Sequence, residues 1–123
     1  DTGAEWLSRD TAVHEAFVQD PLTFEADTLK LFGPIDAARL MGTPRALGTD
    51  IPMLLMVGSD DSLGGERGVR RLERAYRDKG GLQNVRTIVY PDARHEVFNE
   101  INREEVAGDL IEWLAQVMGS AKK

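Results

Sequence analysis

Apolar and polar positions change rhythm near residue 51. Before it, apolar residues recur at helical spacing in short stretches separated by turn residues. Asp10 is placed to cap a helix reaching about Asp20, with Ala12, Val13, Ala16 and Phe17 along one stripe. Pro21 stops it. The spacing predicts a second helix over about Phe24 to Phe32 and a third over about Ile35 to Met41, broken apart by Gly33-Pro34. Residues 42–50 read as a loop. Pro52 to Gly58 is then a continuous apolar run closed by glycine, the pattern of a strand buried on both faces in a parallel sheet. Ser59 to Gly65 is a polar loop, and Glu66 to Lys79 a helix with Val69, Leu72 and Tyr76 at helical spacing, ended by Gly80-Gly81. Val85 to Tyr90 alternates as a second strand, and Pro91 to Glu100 is a loop. Asn102 opens a final helix to about Met118, with Glu105 completing a capping box and Ile101 and Val106 forming a hydrophobic staple. Val106, Leu110, Trp113, Leu114 and Val117 make its apolar stripe, and Ala121 to Lys123 a frayed tail.

The order strand, helix, strand, helix predicts a right-handed βαβ unit with one more helix, an α/β class. Two strands are few for a parallel sheet. Met53 to Val57 is too apolar for a solvated edge, so the chain is expected to complete a larger sheet. The added strands would come from an N-terminal half, a second chain or a copy of itself as a homodimer. Asp1 in place of Met also points to sequence upstream. The alternative is that part of residues 1–50 is strand.

Composition narrows the chemistry. Over 123 residues, 21 acidic against 15 basic side chains give a net charge of -6, which argues against nucleic-acid binding. There is no cysteine, which removes disulfides, thiolate zinc sites and a cysteine nucleophile. Only His14 and His95 are present, too few for a multi-histidine metal site. The longest apolar run is far too short to cross a bilayer. Gly64-Gly65 lacks the lysine of a phosphate loop. The basic positions of residues 66–79 alternate with Glu66, Glu73 and Asp78 and read as a solvated face, with contact to an anionic membrane as the lesser alternative.

In open parallel sheets, ligands bind beyond the carboxyl ends of the strands. The first predicted strand delivers Gly58-Ser59-Asp60-Asp61-Ser62 there, and the second Pro91-Asp92-Ala93-Arg94-His95-Glu96. An acid and an imidazole thus meet at one rim. A carboxylate on Nδ1 would fix the tautomer and free Nε2 to take a proton. The competing reading makes Asp60 and Asp61 caps and His95 a loop residue. Asn99, Glu100 and Asn102 are expected to organise the turn, Arg94 to pair with one of its acids, Glu96 to orient the loop or lie in solvent, and His14 to lie on the surface.

Leu54 to Asp61, followed by Tyr90 to Glu96 and Asn99-Glu100, resembles the C-terminal part of the α/β-hydrolase fold. The likeness is to the monoacylglycerol lipase and lysophospholipase branch, of the serine aminopeptidase S33 type. Trp6 to Asp10 and Asp20-Pro21-Leu22 resemble its cap region. The resemblance implies a helical cap over residues 1–50 and a βαβα core over 51–123. It implies Asp61 as triad acid, with Asp60 as fallback, and His95 as general base. Its chain order is serine, acid, histidine. No Gly-x-Ser-x-Gly elbow occurs; Ser8, Ser59, Ser62 and Ser120 lack the flanking glycines. The implied activity is hydrolysis of monoacylglycerol- or lysophospholipid-like esters, without metal or organic cofactor, in the cytoplasm. The implied partner is an N-terminal half bearing the serine, without which the chain would be inactive. The apolar residues of the first segment, Trp6, Phe17, Leu22, Phe24, Leu29, Leu31 and Phe32, would line an acyl pocket or pack on the core. A non-catalytic hydrolase-like module remains open. So does a flavodoxin- or receiver-like domain, which would need further strands within residues 1–50.

Overall fold

A computed structural model describes residues 2–24, 26–40 and 42–120. Its elements follow the order α1 (Thr11–Gln19), α2 (Thr28–Leu40), β1 (Met53–Gly58), α3 (Gly65–Asp78), β2 (Val85–Tyr90), a single 3-10 turn (Val97–Asn99) and α4 (Arg103–Ser120). This is an α/β arrangement, with parallel strands flanked by helices. Among the described residues before 50 there is no strand, so the added strands that a flavodoxin- or receiver-like domain requires do not form there.

β1 and β2 pair in parallel, Met53 opposite Val85 through Gly58 opposite Tyr90. The side of β1 turned from β2 has no strand against it among the described residues. The outer side of β2 is treated differently. In a parallel ladder the Val85 carbonyl points away from β1, and there the Arg77 guanidinium donates to it, with a second bond to the Gln83 carbonyl at 2.9 Å. Arg70 and Arg77 flank Glu73, which also accepts from the Thr87 hydroxyl at 2.9 Å and so ties α3 to β2. The Thr87 hydrogen bond leads the causes that hold the Glu73 carboxyl below its usual range.

Asp10 caps α1 through the Ala12 amide, as expected. The second predicted helix starts later, at Thr28, because the Asp27 carboxylate accepts from the amides of Leu29 and Lys30 and sets the cap there. The Gly33-Pro34 break is present, with Gly33 at φ 72°. Met41 and the tail 121–123 lie outside the described residues. The staple does not form, since Ile101 is exposed while Val106 is fully buried. The capping box also differs. Asn102 donates its amide to Glu105, but its Oδ1 accepts from Arg9 at 2.9 Å. A partner far back in the chain has taken the atom that would have capped the helix.

The core lies at the strand tips. Tyr90, Ala93, Val97 and Val106 are buried together, with Met56 and Ile88 against them. The Tyr90 hydroxyl donates to Asp109 and pins α4 to the end of β2; burial, then the Asp109 carboxylate, pushes this phenol well up. Farther along α4, Trp113 and Val117 are only half-buried and Leu114 is exposed, so the stripe read from the sequence is covered at its first turn alone. No helix among the described residues is long and apolar enough to cross a membrane.

Candidate active site

The site is assembled from two loops that follow adjacent strand tips. Gly58 ends β1 where the next loop passes very close; a Cβ there would lie 2.0 Å from the Ala93 carbonyl oxygen. Only glycine admits that approach. Backbone bonds then fasten the loops together: Ser59 N–H to Tyr90 and Asp60 N–H to Ala93, each 2.9 Å. The Ser59 hydroxyl accepts from the Asp92 amide at 2.8 Å, which holds Asp92 in its left-handed conformation at φ 59°.

On this frame Asp61 and His95 meet. His95 Nδ1 lies 3.2 Å from both carboxylate oxygens of Asp61. Asp61 is itself fixed, because its Oδ1 accepts from the Leu63 amide at 2.8 Å. The Asp61 side chain is 11% exposed and that of His95 37%. The carboxylate is therefore mostly withdrawn from water while the imidazole stays reachable. Nε2 has no hydrogen-bond partner among the described residues. Asp60 points elsewhere, to the Ser59 hydroxyl at 3.1 Å. Chemically, an imidazole anchored at Nδ1 by a carboxylate can accept a proton at Nε2 and keep the resulting cation stabilised.

Behind His95 runs a second layer. The His95 amide donates to the Trp6 carbonyl and the Glu96 amide to the Leu7 carbonyl, at 3.3 and 2.8 Å. The Trp6 and His95 rings are 5.1 Å apart between centroids, tilted by 41°. Glu100 is the node of this layer. It is fully buried and accepts from the amides of Arg9, Arg94 and Ile101 and from the Arg9 guanidinium. Burial works to raise its carboxyl, but those donors outweigh burial and hold it below the usual range.

Two sequence expectations change here, for Arg94 and His14, while Glu96 takes the loop-orienting role of its two readings. The Arg94 guanidinium pairs with backbone carbonyls of Glu5 and Ser8 rather than with an acid. His14 is buried, not superficial, and its Nε2 contacts the Ser8 carbonyl. Glu96 accepts from the Asn99 side chain, which closes the turn. Trp6 against His95 was missed altogether; local periodicity carries no trace of a contact between residues so far apart in the chain. Two serines beside the site, Ser8 and Ser59, are engaged structurally. Ser8 donates to the Asn99 carbonyl and Ser59 to Asp60. Among the described residues no group of three or more His, Asp or Glu side chains could hold a metal.

Comparison with known proteins agrees with this architecture. The sequence profile of the serine aminopeptidase, S33, hydrolase family matches residues 1–102. Monoacylglycerol lipase of Mycolicibacterium smegmatis is 33% identical over 117 residues, spanning 90% of this chain and 39% of that protein. The crystal structure of monoacylglycerol lipase from Paleococcus ferrophilus superposes with a TM-score of 0.73 at 25% identity, over 94% of this chain and 43% of that one. A soluble variant of monoglyceride lipase from Saccharomyces cerevisiae, solved with a substrate analog, gives a TM-score of 0.66 at 19% identity, over 91% and 41%. The chain thus spans about two fifths of the length of these relatives.

Proposed function

Because the chain belongs to the serine aminopeptidase S33 family of hydrolases, we propose that it is the acid- and base-bearing part of a serine ester hydrolase. Asp61 is the triad acid and His95 the general base. The nucleophilic serine and its oxyanion donors come from an N-terminal half, and the chain alone is inactive. Residues 1–50 serve as cap and 51–123 as the end of the core. The substrate class is a monoacylglycerol- or lysophospholipid-like ester, in line with the relatives named above. The reading takes the enzyme to be cytoplasmic and to meet its lipid ester by peripheral contact.

In the reaction, the serine oxygen bonds to the ester carbonyl carbon as its proton passes to His95 Nε2. The carbonyl π pair moves onto oxygen. Collapse of that intermediate expels the alcohol, which takes the proton from Nε2. Water then repeats the sequence on the acyl-serine and releases the carboxylic acid. Asp61 keeps the imidazole in the tautomer with Nδ1–H and stabilises the cation in both halves.

The observation that supports this above all is the contact of His95 Nδ1 with both Asp61 oxygens at 3.2 Å. The bare side of β1 supports the partner half, since an apolar strand left unpaired on one side asks for another strand. The test is His95→Ala in the polypeptide that joins this chain to its serine-bearing half. Turnover of p-nitrophenyl butyrate should fall by about 10³-fold or more. Unchanged turnover would reject the role of His95.

A further inference from the structure

The described molecule holds one aromatic ring against the imidazole, and the established parts of a triad do not require it. We propose that Trp6 is a positioning residue for His95: its indole forms one wall of the imidazole and favours the cation that exists only while a proton is in transit. The inference rests on the triad reading above and adds to it a residue from the opposite end of the chain.

Four observations carry it. The rings are 5.1 Å apart between centroids and tilted by 41°, neither stacked flat nor edge to face. That is inside the range where aromatic pairs attract and where a cation is drawn to an indole face. Second, the backbone contact of the same two residues, His95 N–H to Trp6 carbonyl at 3.3 Å, fixes the rings' spacing from both main chain and side chain. Third, the Trp6 segment is itself held. Arg94 donates to the carbonyls of Glu5 and Ser8 on either side of it, and Glu100 binds both Arg9 and the Arg94 amide. Fourth, Trp6 is not a core residue; at 38% exposed it does not owe its position to burial alone.

The consequence follows from when the charge appears. Asp61 holds one edge of the imidazole and a ring beside it limits rotation about the Cβ–Cγ bond. A neutral imidazole gains little from an indole, whereas the imidazolium gains a cation–π attraction. An interaction stronger in the transition state than in the ground state raises kcat and leaves KM alone.

The experiment compares Trp6→Leu, Trp6→Phe and the unaltered enzyme, each joined to its serine-bearing half, on p-nitrophenyl butyrate. Leucine keeps apolar bulk without a π face; phenylalanine restores the face. Trp6→Leu should lower kcat by about fivefold at constant KM, and Trp6→Phe should recover most of it. A raised KM with unchanged kcat would make Trp6 a substrate wall and overturn the proposal, as would equal kcat in all three. Should Trp6→Leu fail to fold, the ring-proton resonances of His95 decide the matter in Trp6→Phe, since exchange of indole for phenyl must move them if the rings face one another; resonances that stay put overturn it. His95→Ala separates the two readings. Loss of turnover there with no effect of Trp6→Leu sinks the positioning role alone, while no loss in His95→Ala sinks the triad on which it stands.

Discussion

Residues 17–35 and residues 82–106 invite comparison, because the more apolar of the two is the less buried. The first stretch holds Phe17, Leu22, Phe24, Leu29, Leu31, Phe32 and Ile35, all exposed, with Leu22 82% and Phe24 77% accessible. The second runs through β2, the polar loop after it and the first turn of α4, and Tyr90, Ala93, Glu100 and Val106 in it are 2% exposed or less. Side-chain hydrophobicity does not decide burial here. Closure of the second region comes from donors and acceptors that satisfy one another across the chain, with no buried side-chain N or O atom left unpaired among those described. Among its described residues the first region has only local bonds, such as those of Asp20 to Leu22 and of Asp27 to Leu29 and Lys30.

The most severe way to break the ordered region is at the acid. Asp61→Asn in the assembled enzyme keeps the shape but favours the wrong imidazole tautomer, and should cost about 10³- to 10⁴-fold in kcat. Asp60→Asn, whose carboxylate meets only Ser59 among the described residues, should cost far less. Steady-state kinetics on p-nitrophenyl butyrate checks both, and the reverse ranking would move the acid to Asp60.

Glu100→Ala comes next. It takes the acceptor from the Arg9 Nε–H and from three backbone amides, and should destabilise by about 3 kcal/mol in denaturant unfolding. The sign of the pH effect follows from the lowered folded pKa. The Glu100 contribution is fully present above the ordinary glutamate value of about 4.3 and is lost as pH falls through the folded value below it. Unfolding midpoints of Glu100→Gln should therefore fall less steeply on acidification than those of the unaltered protein.

Gly58→Ala probes the close approach of the loops. Its Cβ would meet the Ala93 carbonyl, so the loops must part, at about 2 kcal/mol and with loss of the Asp61–His95 contact. Thermal unfolding and kcat should change together. The smallest effect is expected in the apolar region. Leu22→Ser should alter stability by less than about 0.5 kcal/mol if the residue stays exposed in the assembled protein. A cost of about 2 kcal/mol would show that another part of the assembled protein covers it.

Legibility in the sequence divides along the same line. Strands β1 and β2, helix α3 and the arrival of an acid and an imidazole at one rim could be read because each rests on local rhythm plus the parallel geometry that brings successive strand tips together; that Asp61 rather than Asp60 is the acid followed only from the family resemblance. The start of α2 was misplaced because Asp27, a short-range cap, outcompetes the apolar spacing that began at Phe24. Burial of His14, the reach of Glu100 to Arg9 and the ring of Trp6 were not readable. Each depends on residues 6–14 meeting one another or residues 94–102, and no periodicity records such a meeting. Asn102 shows the same effect from the other side: the capping motif was legible, but Arg9 claimed its oxygen.

The account turns on a single proton, and nitrogen-15 NMR of the assembled enzyme with labelled histidine reads it directly. Neutral His95 should carry its hydrogen on Nδ1, facing Asp61, with Nε2 bare, and Asp61→Asn should disturb that preference. A neutral ring protonated on Nε2, with Nδ1 bare beside Asp61, would contradict the account.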